Sequence, residues 1–504
     1  MTDFDKVSVL DEPKLEFGFR QQLEDPRNGL FLFGPINDHR KPSQIRAGVV
    51  GTQQGVSIFH DWLNETNRFI PQVSEDSPHQ FAFPGFEAAF RTKWPATPVV
   101  EIAISATEIA NTIRQSDRHK AIFDTVSLFE KPIRRQLREE DAAVDVWFVV
   151  IPDEVWRLGR PLSRLTKTET IYSGRSIGPK VAKRLFTEPS LFAEEMNAAE
   201  IYRYEVNFHH QLKARLINSR AVVQVVREST LTSGFSDDVH QRRLQDPATV
   251  AWNLCTTAFF KSGGRPWKLA DVREGVCYVG LVFKINTADL SKGNACCGAQ
   301  MFLDSGDGMV FKGAMGPWYS NETKEFHLPK TEARALMSRL LQSYIDEHKR
   351  EPVELFVHGR TRFNDEEWAG FREAVPAHIN LVGVRITRSQ EMKLFASGRI
   401  PLLRGSYYKL GQRRALLWTT GYIAPLATYP GREVPNPLLI EVNRGDADID
   451  RVLADIMGLT KVNFNACLFA DGLPVTLRFA DAVGEILTAA PILDDAPLPF
   501  RHYI

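Results

Sequence analysis

The order of apolar segments after Val276 limits the possible folds more than any other feature of this chain. "VCYVGLVFKI" has the length and β-branched content of a strand. "GAQMFLDS" and "GMVFKGAM" follow as a hairpin over the turn "GDG". "KTEARALMSRLLQSYIDEHK" carries its apolar residues at helical spacing, "VELFVH" is a strand, "DEEWAGFREAV" a helix and "INLVGVRI" a strand. Consecutive antiparallel strands need only tight turns. Strands joined through helices pair in parallel with one preferred hand, so few topologies fit this order.

Three antiparallel strands, then helix, strand, helix and strand, is the order of a ribonuclease-H-like domain. The tail adds a strand, "PLLIEV", a helix, "DIDRVLADIMG", and a last helix within "LPVTLRFADAVGEILTA". The first half is also α/β. "PVVEIAIS", the buried run "VDVWFVVIP" and "AVVQVV" alternate with helical segments, which predicts a doubly wound, Rossmann-like unit. It closes with "DPATVAWNLCTTAFFKSGG", where Asp246 suits the cap, Pro247 the first turn and Gly263-Gly264 the end of a helix. With 504 residues the chain is too long for one core. The organisation expected is an N-terminal segment over 1–90, rich in Gly, Pro and Asn turns and leaning on another domain, an α/β unit over 91–268 and the ribonuclease-H-like unit over 269–504.

Sixty-two basic residues balance 62 acidic ones, so anion binding must come from local clustering. The start, "MTDFDKVSVLDEPKLEF", lacks the basic and apolar pattern of a signal peptide, and the longest uncharged run, Ala415 to Gly431, is too broken by prolines, glycines and threonines to span a bilayer. Five cysteines in no metal-binding or paired pattern fit reduced thiols in a cytoplasm.

A ribonuclease-H-like nuclease needs carboxylates at the ends of its first and fourth strands to hold two divalent ions. The first strand carries Val282 where an acid is needed, and the fourth ends in His358-Gly359. Asp304 and Asp307 lie nearby and suit turns as well as ligands. In "FHHQLKARLINSRAVVQVV", His209 and Lys213 are four apart and share a helical face, while Gln224 sits on the following strand and Lys261 at the end of the next helix. Together they form a candidate phosphate site of point charges and neutral donors. The alternative is a solvated helix face with a lone strand glutamine. His210 is expected to point elsewhere, to the surface. A second cluster, "RLGRPLSRLTKTETIYSGRSIGPKVAKR", has a single acid, Glu169; Arg160, Arg164, Lys167, Tyr172, Arg175 and Lys180 are its candidate nucleic-acid contacts, a solvated loop being the other reading.

With these residues laid out, the chain resembles the short prokaryotic Argonautes, which consist of MID and PIWI domains. "LEFGF…DPRNGLFLFGP", "RAGVVGTQQGV" followed by "FHDWL", and "TKVNFNACLFADGLPVTLRFADAVGEI" look like successive Argonaute segments, the last with an Asn-rich strand before a helix. The resemblance implies that a Tyr…Lys…Gln…Lys set holding a guide 5′ phosphate falls on His209, Lys213, Gln224 and Lys261, with "NLCTTAFFKSGG" as anchor and His209 as the departure. It implies that the carboxylate of the last residue, Ile504, binds magnesium at that phosphate. It implies an inactive PIWI domain, the tetrad being absent at Val282 and His358. The expected role is then guide-RNA-dependent recognition of invading single-stranded DNA beside an APAZ-bearing effector partner: a TIR or sirtuin-like NAD hydrolase, or a nuclease. An active guided nuclease with unusual metal ligands is the rival.

Overall fold

The computed structural model describes residues 6–73, 79–139, 143–172, 177–232, 246–271, 273–285, 295–302, 308–316, 318–320, 322–429, 431, 433–491 and 497–504. Asp304, Asp307 and Arg175 lie outside them. In chain order the strands are β1 (Val7–Val9), β2 (Leu15–Glu16), β3 (Gln22–Leu23), β4 (Ala47–Thr52), β5 (Val100–Ile104), β6 (Val146–Ile151), β7 (Val223–Arg227), β8 (Lys268–Leu269) and β9 (Val276–Ile285). Then come β10 (Ala295–Phe302), β11 (Gly308–Gly316), β12 (Glu354–Gly359), β13 (Asn380–Arg388), β14 (Ser406–Gly411), β15 (Arg414–Leu417), β16 (Leu438–Arg444) and β17 (Leu498–Pro499).

Four of these strands form a parallel sheet in the order β5-β4-β6-β7. Its centre, β6, is buried at every position, as the apolar run "VWFVVI" requires of a strand covered on both faces. Asp246 caps the Pro247–Lys261 helix by accepting from Thr249 N, and Gly263 follows its end at φ +94°. The N-terminal region departs from the expectation of a segment leaning on this unit. β4 lies between β5 and β6, so residues 47–52 are inside the sheet, while β2 pairs with both β3 and β8 and β1 joins the large sheet. Gly-rich "RAGVVGTQQGV" read as turns, but its glycines serve close packing: a Cβ on Gly48 would lie 2.7 Å from the Trp147 ring.

The large sheet has ten strands, β1-β14-β15-β16-β13-β12-β9-β10-β11-β17. β9, β10 and β11 are antiparallel, β12 runs parallel to β9 and β13 parallel to β12, the order expected from the sequence. Alternation along β9 divides two cores. Cys277, Val279 and Leu281 meet Leu336, Leu340 and Phe371 of the Lys330–His348 and Asp365–Ala374 helices. Val276 and Tyr278 face a larger core shared with the Ile449–Leu459 and Ala480–Thr488 helices. That core also contains Val49 and Phe148 of the parallel sheet, so the two sheets share one continuous apolar interior.

The tail differs from the sequence reading in two places. The Asn-rich stretch 461–474 contains no strand, and the last helical region is two helices, Val475–Arg478 and Ala480–Thr488, divided at Phe479. Asn463 is instead bonded to Asp471 (2.6 Å), which makes a folded loop of side-chain contacts in place of a ladder.

Candidate anion-binding site

The Phe208–Ile217 helix starts at Asn207, whose side chain accepts from His210 N (3.2 Å). One turn on, the helix turns Lys213 inward, leaving it 5% exposed, with Nζ donating to the Tyr503 carbonyl (3.4 Å). β7 carries Gln224 to the same place. Lys261, at the end of the Pro247–Lys261 helix and 1% exposed, donates to Val223 O (2.8 Å) and Gln224 Oε1 (2.7 Å). The structure therefore joins Gln224 directly to Lys261. Burial pulls the Lys213 ammonium down to about 7; burial and then the Lys213 charge hold Lys261 well below the ordinary lysine range. His209 stands within the field of both: burial first, then Lys213, His210 and Lys261, push its imidazole well below its usual value and keep it neutral at pH 7.

Neither lysine has a carboxylate partner among the described residues; their acceptors are neutral carbonyls. Lys461 shows the contrast. It too is buried, but Nζ meets Glu12 at 2.8 Å and lies 3.9 Å from the centre of the Phe469 ring. A buried charge is costly unless it is paired, so the Lys213–Lys261 cluster is a candidate site for an anion that brings its own charge and acceptor oxygens.

The tail walls this cluster by a route that the sequence does not show. β17 pairs with β11 (Val310↔Leu498), and the 3-10 turn Phe500–His502 carries Tyr503 and Ile504, each 4% exposed, into the shared core. His502 is buried with Nδ1 lacking a hydrogen-bond partner in the described structure, and burial followed by the Arg501 charge lowers its pKa to about 4. Two residues of edge strand offer no periodic signal from which this docking could be read.

His210 is not a surface residue. Nδ1 lies 3.2 Å from Glu205 and Nε2 3.2 Å from Glu485, so the ring joins the Phe208–Ile217 helix to the Ala480–Thr488 helix. Adjacent helical residues diverge by about 100°, and the second helix happens to lie where His210 points. Of the basic stretch, Arg160 reaches a cleft of about 490 Å³ whose lining includes Trp156, Asn207, His209, His210 and Val225. Arg164, Lys167 and Lys180 are exposed, as is Tyr172 at 82%, and they stand outside the lysine cluster.

At the strand ends of the large sheet, Val282 pairs in register with Gly298, and His358 pairs with Gly280. His358 is 1% exposed, its Nδ1 is 2.9 Å from Thr476 Oγ1, and burial lowers its pKa to about 3. A Cβ on Gly280 would lie 1.9 Å from the Thr476 carbonyl oxygen, so the Val475–Arg478 helix rests directly on this strand. Among the described residues no group of three or more His, Cys, Asp or Glu side chains is placed to hold a metal ion, and no helix is long and apolar enough to cross a membrane.

No protein-family model and no curated protein matches the sequence. Solved structures do match. Clostridium butyricum Argonaute bound to a guide DNA and a 19-mer target DNA superposes with a TM-score of 0.62 at 15% identity, over 97% of this chain and 54% of that one. The fold is Argonaute-like. A. aeolicus Argonaute matches with a TM-score of 0.54 at 13% identity over 98% of this chain and 54% of its own, and Aa-Ago with externally bound siRNA gives 0.55, 13%, 99% and 56%. The chain thus spans about half the length of the Argonautes it matches, with an α/β architecture of the MID and PIWI kind.

Proposed function

We propose that this chain is a guide-dependent recognition subunit that seats the 5′ phosphate of a small RNA and pairs that RNA with single-stranded DNA. The observation that carries this reading is the pair of buried lysines, Lys213 and Lys261, that converge with Gln224 without a carboxylate partner among the described residues. In this reading the four residues His209, Lys213, Gln224 and Lys261 hold the terminal phosphate. In the same proposal a main-chain oxygen of Ile504, next to the carbonyl that accepts from Lys213, would hold a magnesium ion, which favours oxygen donors. The ion would neutralise phosphate charge. Arg160, Arg164, Lys167, Tyr172 and Lys180 serve the strand that leaves the pocket, Arg160 from the cleft and the rest from the open surface.

The reading further assigns no cleavage to this chain, because Val282 and His358 stand where a ribonuclease-H-like site needs acids and His358 is buried and neutral. Recognition is then passed to an APAZ-bearing effector, a TIR or sirtuin-like enzyme that depletes NAD and kills the infected cell, with a nuclease effector as the second form. Extracting the nucleic acid that copurifies with the chain and mapping its ends tests the proposal. Small RNAs with 5′ phosphates support it; nucleic acid with random ends, or none at any salt, contradicts it.

A further inference from the structure

Resting on the guided-recognition reading, we infer that Lys284 and Arg360 bind backbone phosphates of the paired guide and target, as fixed cations where a nuclease of this fold would hold metal ions. A two-metal site works by clamping one phosphate between positive charges. Val282 offers no ligand for such ions and His358 is a poor one for magnesium, yet positive charge stands close by. Lys284 lies two residues beyond Val282 on β9, and Arg360 two beyond His358, immediately after β12. β12 runs parallel to β9, so both cations emerge at the same edge of the sheet. The Ala480–Thr488 helix receives them. Lys284 Nζ meets Glu485 (3.0 Å) and Arg360 meets Asp481 (2.9 Å), the two carboxylates being four apart on one helical face.

These pairs are open to exchange. Side-chain exposure is 34% for Lys284, 51% for Arg360 and 59% for Asp481, and ion pairs this open hold weakly. A phosphate that takes the cations leaves neither carboxylate stranded: Asp481 faces water, and Glu485 keeps His210 Nε2 at 3.2 Å. Positive charge is in excess just beyond. Arg362 and Arg385 share a single acid, Glu441, at 2.8 and 3.5 Å, so four basic side chains meet three acidic ones at this edge. Arg385 Nε donates to the Arg360 carbonyl (3.3 Å), which joins the second group to the first. A polyanion crossing the strand ends gains from both groups. Ammonium and guanidinium groups fit phosphate oxygens and read no base, which suits a chain that accepts guides of any sequence.

The test loads the full chain with one 5′-phosphorylated RNA and titrates a complementary single-stranded DNA over a series of salt concentrations. Each phosphate contact adds about 1 to the slope of log affinity against log salt. Lys284→Gln and Arg360→Gln should each lower that slope by about 1, and the double variant by about 2. Removing a whole pair separates contact from charge balance. Arg360→Gln with Asp481→Asn, neutral overall, should keep the reduced slope, whereas Asp481→Asn alone should keep the native slope and bind target more tightly, because Arg360 no longer has a partner to leave. A native slope in the Lys284→Gln, Arg360→Gln double variant, or in the neutral exchange, overturns the inference. A fall in affinity at unchanged slope reports a structural effect and overturns it as well. If the native chain loads no 5′-phosphorylated RNA, the underlying functional reading fails instead, so the two failures separate.

Discussion

Lys213 and Lys261 are ordinary residues on paper, and burial makes them informative. The unfolded chain keeps a lysine protonated to about pH 10.4, whereas the folded chain releases the Lys213 proton at about 7. Between these values the unfolded state binds more protons, so stability rises with pH there, and the penalty is complete below 7. Lys213→Met should therefore raise the melting temperature most at pH 6 and progressively less toward pH 10. Thermal melts across that range check the sign; a gain independent of pH contradicts it. An anion that pairs with Lys213 raises its pKa again, so binding above pH 7 takes up a proton. The preference for phosphorylated over hydroxyl ends should accordingly weaken from pH 7 to pH 9, readable in titrations at fixed salt. His209 and His358 stay neutral through this window and should add nothing to the slope.

At the scale of elements, the legible parts of the fold were those with local causes. The strand character of β9, the uninterrupted apolar β6 and the Asp246 cap each follow from side chains within a few residues, and each stands as the sequence implied. The i, i+4 spacing of His209 and Lys213 signalled a shared face, but not that the face is buried. What the sequence did not show depends on partners distant in the chain: β4 between β5 and β6, the β17–β11 pairing, and His210 between Glu205 and Glu485. The Val475–Arg478 helix offers an element-level test. It packs backbone-to-backbone on Gly280, so Gly280→Ala must displace the helix or β9. Overpacking of this kind costs about 1–3 kcal/mol, which differential scanning calorimetry would register as a lower melting temperature. An unchanged transition would mean that the helix can move away freely.

For the whole molecule, one apolar interior beneath two sheets places the lysine cluster and the strand ends of the large sheet on one framework. In the proposed reading, a strand anchored at the lysines and paired along that framework meets Val282 and His358 where a ribonuclease-H-like site needs acids. The chain alone should therefore leave target DNA and RNA uncut with magnesium or manganese present; cleavage opposite the guide, assayed on end-labelled targets, would contradict this. In the proposed reading, output passes to an effector partner if guide–target pairing changes the surface that partner holds, and partner activity should rise only with matched guide and target. All of this stands on the terminal phosphate being read by the buried lysines, and the most direct measurement is the affinity of the native chain, Lys213→Ala and Lys261→Ala for one RNA with a 5′ phosphate or a 5′ hydroxyl, at constant salt. Each lost charge-assisted contact is worth about 1.5–3 kcal/mol, or roughly 10- to 150-fold. The account predicts that loss for the phosphorylated strand and no change for the hydroxyl strand; variants that bind phosphorylated RNA as tightly as the native chain would contradict it.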